Sequence, residues 1–247
     1  MKYEHLQVET HADVLLVRLN RPGVANSLSN ALRDEMESVL AGAEASATVG
    51  ALVLSGGKNV FSAGYDLKEV IETRLASFAH RAIEYNTALY TFAKPLVAAV
   101  SGFCLAGGFD LALAGDIIIA GEKKTFFGHP EMRFAPPFVL PLARKIGVDK
   151  ARALILQGGM ISAKAALSLG IINQLADNDK LEEIALKTAQ KMAKWRPVNV
   201  RMVKSVCAAL EFGDTRAAIV RELRMVESVL ADTSVLGEIE AYYASLN

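Results

Sequence analysis

The stretch from residue 95 to residue 121, PLVAAVSGFCLAGGFDLALAGDIIIAG, limits what this chain can fold into more than any other part of it. Pro95 opens PLVAAVSG, a short, wholly apolar, β-branched run that reads as a strand. The paired glycines Gly107 and Gly108 then start a helical pattern, and DIIIAGEKKTFFG reads as another buried strand and a turn. The same alternation runs upstream. Within residues 3–19, HLQVET and VLLVRL are two strands separated by HAD, which predicts a hairpin. Ser29 or Asn30 can cap the helix ALRDEMESVLAGAE, and ALVLSGG (residues 51–57) is a buried strand ending in glycines. Residues 67–93 read as one long helix or two. Strands and helices alternating over the first two thirds predict an α/β layered core. From about residue 140 strand signals fade, and PLARKIG, DKARALILQG, AKAALSLG and KLEEIALKTAQKMAKW all read as helices. The expected organisation is an α/β core over residues 1–195 and a helical C-terminal region over residues 196–247. Apolar faces such as that of VRMVKSVCAAL either cover the core or meet another subunit.

Composition removes several classes of function. With 52% hydrophobic residues in 247, the chain can bury a substantial core. Lys+Arg and Asp+Glu both total 27, so no overall field attracts nucleic acid or an anionic membrane, although a few local donors suffice for a phosphate-bearing small ligand. The start, MKYEHLQVET, lacks the apolar core of a signal peptide, and no run reaches the length of a membrane span, so a soluble, cytoplasmic protein is expected. Cys104 and Cys207 are far apart and support neither a disulfide framework nor a zinc cluster. No metal is expected, and a reducing compartment is.

Three short stretches carry candidate chemistry. FSAGYD, residues 61–66, follows a strand and precedes a helix, so its loop can turn N–H groups toward negative charge. In LAGGFDLALAGD, residues 105–116, the glycines let backbone approach a ligand, and the first N–H groups of the helix lack internal partners. One N–H from each loop could polarise a single carbonyl oxygen, which is the design of an oxyanion hole. Asp110 in that first turn either complements the helix dipole or takes part in catalysis. In FFGHPEMRF, Glu131 stands where a strand gives way to a loop, either as a reactive acid or as a solvated one. His129 beside it is a possible base, but a histidine next to proline is more commonly a surface or packing residue.

Taken in order, LNRP, FSAGYD, KPLVAAVSGFCLAGGFDLALAGDIIIA, FFGHPE and ISAKAALSLGIIN resemble the enoyl-CoA hydratase/isomerase family, also called the crotonase fold, over nearly the whole chain. The resemblance implies repeated ββα units, a helical C-terminal region used in forming a homotrimer or a dimer of trimers, and an acyl-CoA thioester as substrate, with no tightly bound cofactor. Carried onto this sequence, the oxyanion donors are the N–H groups of Tyr65 and Gly107, and the two catalytic acids are Asp110 and Glu131. The resemblance also places Val24, Ala25, Ala63, Asp66 and Leu67 against the substrate. Four departures shape what is expected. Asp110 is one methylene shorter than the family's usual glutamate. Val139 stands where the dienoyl-CoA isomerase branch has an aspartate. FAPPFVLPLARKIG, with Phe134, Phe138 and Leu140, replaces a glycine-rich loop and implies an altered, apolar acyl pocket. Ala106 replaces the first of three glycines. Hydration of a 2-trans-enoyl-CoA is the leading expectation. The alternatives are a double-bond isomerase using Glu131 alone and a catalytically weakened acyl-CoA-binding member.

Overall fold

The computed structural model describes residues 3–73 and 78–246, apart from the side chains of residues 79, 211, 212 and 233. The expected hairpin is present: β1 (Leu6–His11) pairs antiparallel with β2 (Val14–Leu19), Leu6 facing Leu19. Helix α1 (Asn30–Ala45) follows, capped by Ser29, whose Oγ accepts from Leu32 N–H. Such a cap contributes about 1 kcal/mol. Next come β3 (Ala51–Ser55) and β4 (Val60–Ser62), then α2 (Leu67–Glu72) and α3 (Phe78–Tyr90). Residues 67–93 therefore form two helices, with residues 74–77 outside the described part. The pattern repeats as β5 (Leu96–Val100), β6 (Phe103–Leu105) and α4 (Gly107–Leu113), and again as β7 (Ile117–Gly121) and β8 (Phe126–Gly128). Helices α5 (Leu140–Ile146) and α6 (Val148–Gln157) lead to β9 (Met160–Ser162), α7 (Ala163–Leu169), β10 (Gln174–Ala176) and α8 (Leu181–Ala193). The chain closes with α9 (Pro197–Phe212), α10 (Thr215–Leu230) and α11 (Thr233–Ala244).

In each repeat the first strand enters one sheet and the second strand enters another. The larger sheet runs β1-β2-β3-β5-β7-β10, all parallel after the hairpin. Its central strands ALVLS and LVAAV are buried at every position, because helices cover both faces. Val53, Val97 and Ala99 meet Leu181, Ala185 and Ala189 of α8, while Leu54 and Ala98 face the cluster holding Leu32 and Met36 of α1. Burial on both sides is why these strands read as continuous apolar runs. The smaller sheet runs β4-β6-β8-β9. Its strands have three residues each, too few to display a period, and the sequence pattern did not announce β4, β6 or β9. The tail expected to be wholly helical also contains β9 and β10 for the same reason. Helix α10 packs on α3, and α11 packs on α2.

Candidate active site

Three neighbouring parallel strands of the smaller sheet, β4, β6 and β8, deliver their carboxyl ends side by side. Residues 63–66 follow the first, Ala106 and Gly107 the second, and His129, Pro130 and Glu131 the third. Carboxyl ends of parallel strands are where such sheets collect ligands. Backbone bonds fasten the loops together: Leu28 N–H donates to Gly64 O (2.8 Å) and Ala106 N–H to Gly128 O (2.9 Å). A Cβ on Gly64, whose φ is +100°, would lie 2.7 Å from Ala106 Cβ and 3.0 Å from Gly107 N. The first two loops touch only because residue 64 has no side chain. Ala106 has a glycine-like backbone, with φ +50° and ψ −132°, and this costs of order 1–3 kcal/mol.

The close approach sets two backbone donors near each other. Among the described residues, neither Tyr65 N–H nor Gly107 N–H has a protein acceptor. Tyr65 itself holds the gap: its ring lies 2.8 Å from where a Gly107 Cβ would be, so only glycine fits there. Asn86 Nδ2 donates to the Tyr65 hydroxyl (3.1 Å), and the ring meets Phe78 edge-on at 5.0 Å.

Beside these donors are two acids and a histidine. Asp110 is buried in the first turn of α4, yet its Oδ1 has no hydrogen-bond partner among the described residues. An acid serving only the helix dipole would not need such burial, which for an unpaired polar group costs about 1–3 kcal/mol. Burial pushes the Asp110 carboxyl well above its ordinary range; His129 opposes this, and Glu131 and Glu222 add to it. Glu131 sits in a 3-10 turn, Pro130–Arg133, with Oε1 2.8 Å from His129 Nδ1 and Oε2 without a partner. His129 is 4% exposed, and its Nε2 lies 3.8 Å from Asp110 Oδ1. Burial alone would lower the histidine's pKa, but the bond to Glu131 and the charges of Asp110, Glu131 and Glu222 outweigh it and raise the pKa. Of the readings open to it, a possible base, a surface residue or a packing residue, burial excludes the surface one, and His129 is a buried member of the site.

A cavity of about 120 Å³ opens over this floor. Ala63, Tyr65, Gly107, Asp110 and Glu131 form one side. Phe134, Pro136, Pro137 and Phe138, with Leu223, Val226 and Leu230 of α10 and Ile239 and Tyr242 of α11, form the other. None of the described lining residues carries positive charge. Leu67 lines the cavity, whereas Leu140 packs outside it with Ala82, Phe138, Ile219 and Leu223. The Asp66 carboxylate is tied through Oδ2 to Arg21 Nη1 (2.9 Å) and Ser27 Oγ (3.0 Å). Val24 and Ala25 lie outside the cavity but adjoin its rim, where Ala63 N–H donates to Ala25 O (3.0 Å). Two supporting groups had no sequence signal, being distant in the chain. Tyr90 donates its hydroxyl to Asp110 O, and Glu222 accepts from Val139 and Leu140 N–H, tying the wall loop to α10. Among the described residues no three His, Cys, Asp or Glu side chains are grouped to hold a metal ion.

Free backbone donors beside one buried and one part-buried acid belong to enzymes that stabilise an oxyanion while moving protons. Over residues 9–244 the chain matches the family model for enoyl-CoA hydratase/isomerase, and it belongs to that family. It is 37% identical to a probable enoyl-CoA hydratase of Rhizobium meliloti (strain 1021), covering 94% of this chain and 91% of that protein. It is 33% identical to the 2,3-dehydroadipyl-CoA hydratase of Escherichia coli (strain K12), covering 92% and 91%. Among solved structures, an enoyl-CoA hydratase/isomerase from Xanthobacter autotrophicus Py2 superposes with a TM-score of 0.86 at 29% identity, over 100% of this chain and 99% of that one.

Proposed function

We propose that this protein is an enoyl-CoA hydratase that adds water to a 2-trans-enoyl-CoA and yields a 3-hydroxyacyl-CoA. The observation that carries the reading is the pair of unengaged N–H groups, Tyr65 and Gly107, next to the carboxyls of Asp110 and Glu131. The thioester oxygen accepts from both N–H groups, which stabilise the charge it gains as the conjugated double bond is attacked. Water oxygen bonds to Cβ, Asp110 takes the water's proton, and Glu131 delivers a proton to Cα. Water is consumed whole, and no oxidant, metal or resident cofactor is required. The burial that raises the pKa of Asp110 makes it a better base near neutral pH than an exposed carboxylate.

Crotonyl-CoA mixed with pure protein should lose its conjugated absorbance and give a product heavier by one water. A conjugated product formed only from a 3-enoyl-CoA would replace this reading with double-bond isomerisation.

The rim at Val24, Ala25, Ala63 and the Asp66 backbone, with Leu67, receives the CoA end of the substrate. The protein works as a homotrimer or a dimer of trimers: Val198, Met202, Val206 and Leu210 of α9 are exposed, Leu210 at 82%, and this apolar face suits a second copy of the chain. Light scattering at several concentrations tests that assembly. Cys104 and Cys207 are both free thiols, which suits a reducing compartment such as the cytoplasm. Among the described residues no helix is long and apolar enough to cross a membrane.

A further inference from the structure

His129 lies behind the two acids and does not line the cavity, so its role cannot be contact with substrate. Its ring is fixed on one face by Phe109, the residue before Asp110, with centroids 5.2 Å apart. On its far side a void of only about 10 Å³ is bordered by Phe127, Leu154, Ile155 and Ile161, which offer no polar side chain. Both ring nitrogens are consequently turned toward acids: Nδ1 is 2.8 Å from Glu131 Oε1, and Nε2 is 3.8 Å from Asp110 Oδ1. Three buried polar atoms lack partners there, namely Asp110 Oδ1, His129 Nε2 and Glu131 Oε2. The first two face each other across a gap that is too long for a hydrogen bond but closes with a small movement or one water.

We propose that His129 is a positioning residue that joins Asp110 and Glu131 into one proton-sharing unit. Its Nδ1 edge orients Glu131 toward Cα, and its Nε2 edge answers Asp110 when that acid gains or loses its proton. The imidazole faces an acid at each edge, so the limbs of a rate profile belong to the unit and not to one residue. The groups facing the imidazole are Asp110 from α4, Glu131 from the adjoining turn and Glu222 from α10, all acidic, and they favour its charged form. A glutamine or asparagine in this place could hold Glu131 by one hydrogen bond but could not exchange charge with either acid.

The kinetic part of the proposal rests on the hydratase reading; the coupling itself does not, and the experiment separates them. The chain has four histidines, and the other three, His5, His11 and His80, are part-exposed or exposed, so the buried ring can be resolved by histidine NMR titration. In the unaltered protein His129 should titrate above the ordinary histidine value, and Glu131→Gln and Asp110→Asn should each lower its midpoint by about 0.5 pH or more. A midpoint indifferent to both substitutions would overturn the proposal, whether or not crotonyl-CoA is turned over.

In kinetics, His129→Ala should lower kcat by roughly 10- to 100-fold with KM within about threefold. His129→Asn, which can place an amide donor near the Nδ1 position, should recover much of that kcat yet lose one limb of its pH profile. A purely structural histidine would leave the profile of the Asn variant unchanged, and that outcome counts against the proposal. If His129→Ala does not fold, the NMR comparison still decides. If no enoyl-CoA reacts but the midpoints move, the proton-sharing unit stands and the hydratase reading fails.

Discussion

One side of the cavity, residues 63–66 and 106–131, presents main-chain N–H groups and acids, whereas the other side, residues 134–138 with α10 and α11, presents almost only carbon. The two sides also differ in how comfortably they are built. The polar side holds a non-glycine residue at φ +50°, a buried acid and a buried histidine each with a partnerless atom, and a neighbouring glycine that no side chain could replace. On the apolar side Phe134 stacks on Tyr242 at 4.5 Å, and Val226, Leu230 and Ile239 form an ordinary hydrophobic cluster. Unsatisfied groups are tolerated where they do chemistry, and the satisfied wall supplies shape and rigidity around them. Changes on the polar side should therefore alter rate, and changes in the tail presented to the apolar side should alter selectivity.

The largest effect is expected at Glu131. Replacing it by Gln keeps shape and removes the exchangeable proton, so kcat for crotonyl-CoA should fall by about 10³-fold, within the usual span for a general acid, while KM stays within a few-fold. Steady-state assays measure this directly, and full retained activity would show that the polar side works through another group. Asp110→Asn should lower hydration by roughly 10²-fold, somewhat less, since oxyanion stabilisation persists without it.

The same Asp110 variant carries a signature in stability. With its folded pKa raised, Asp110 holds a proton that the unfolded chain gives up, so the native protein loses stability as pH rises from the ordinary carboxyl range toward the raised value. His129 has the same sign but acts only above its ordinary value, so the loss that sets in just above the ordinary carboxyl range is not its own. The unfolding free energy from urea titration should fall as pH rises above about 4 in the unaltered protein, with Asp110 contributing at most ~1.4 kcal/mol per pH unit, and should fall less in Asp110→Asn. Equal slopes would mean that Asp110 is not the buried proton holder.

These two sides were not equally legible in the sequence. Gly64, Gly107, Asp110 and Glu131 stand in strand-to-helix or strand-to-turn junctions, which backbone chemistry marks as candidate sites, while the roles of the two acids came only from the ordered set of motifs and the family it resembles. The sheet that aims them was much harder to see, because β4, β6 and β9 are three residues long and have no measurable period. Phe134 and Phe138 were readable as wall because they stand where the family it resembles has a glycine-rich loop, but Leu223, Val226 and Leu230 look like any amphipathic face, and only the docking of α10 on α3 turns them toward the cavity. His129 was visible as a possible base or packing residue, but its link to both acids was not: they come from different strand ends, a juxtaposition that local pattern does not encode.

The apolar side is tested by changing the substrate and leaving the protein alone. The substrate in one relative's name, 2,3-dehydroadipyl-CoA, ends its acyl chain in a free carboxylate. Among the described residues of this cavity no cation waits for such a charge, and its carboxyl groups are Asp110 and Glu131. Burying a carboxylate there is unfavourable, so kcat/KM should be about 30- to 100-fold lower than for an uncharged 2-enoyl-CoA of equal length, a penalty of roughly 2–3 kcal/mol. Equal rates would show that the wall does not select by charge.

The smallest effect is expected at Ala106 and concerns stability. Its φ of +50° with ψ of −132° belongs to a region that glycine enters freely and alanine does not. Ala106→Gly relieves about 1–3 kcal/mol of strain but makes the unfolded chain more flexible, which offsets roughly 0.4–1 kcal/mol. The balance is a gain of about 1 kcal/mol, or ~2–4 °C in Tm for a chain of this size. Because the Gly107 N–H is held by the helix that follows and by the Tyr65 ring against it, kcat should change by less than about twofold, an effect too small to show a lost oxyanion donor. A variant that gains stability but loses ~10-fold or more in kcat would show the opposite: that the strain at Ala106 is what aims Gly107, and that the uncomfortable build of the polar side is itself part of the catalytic device.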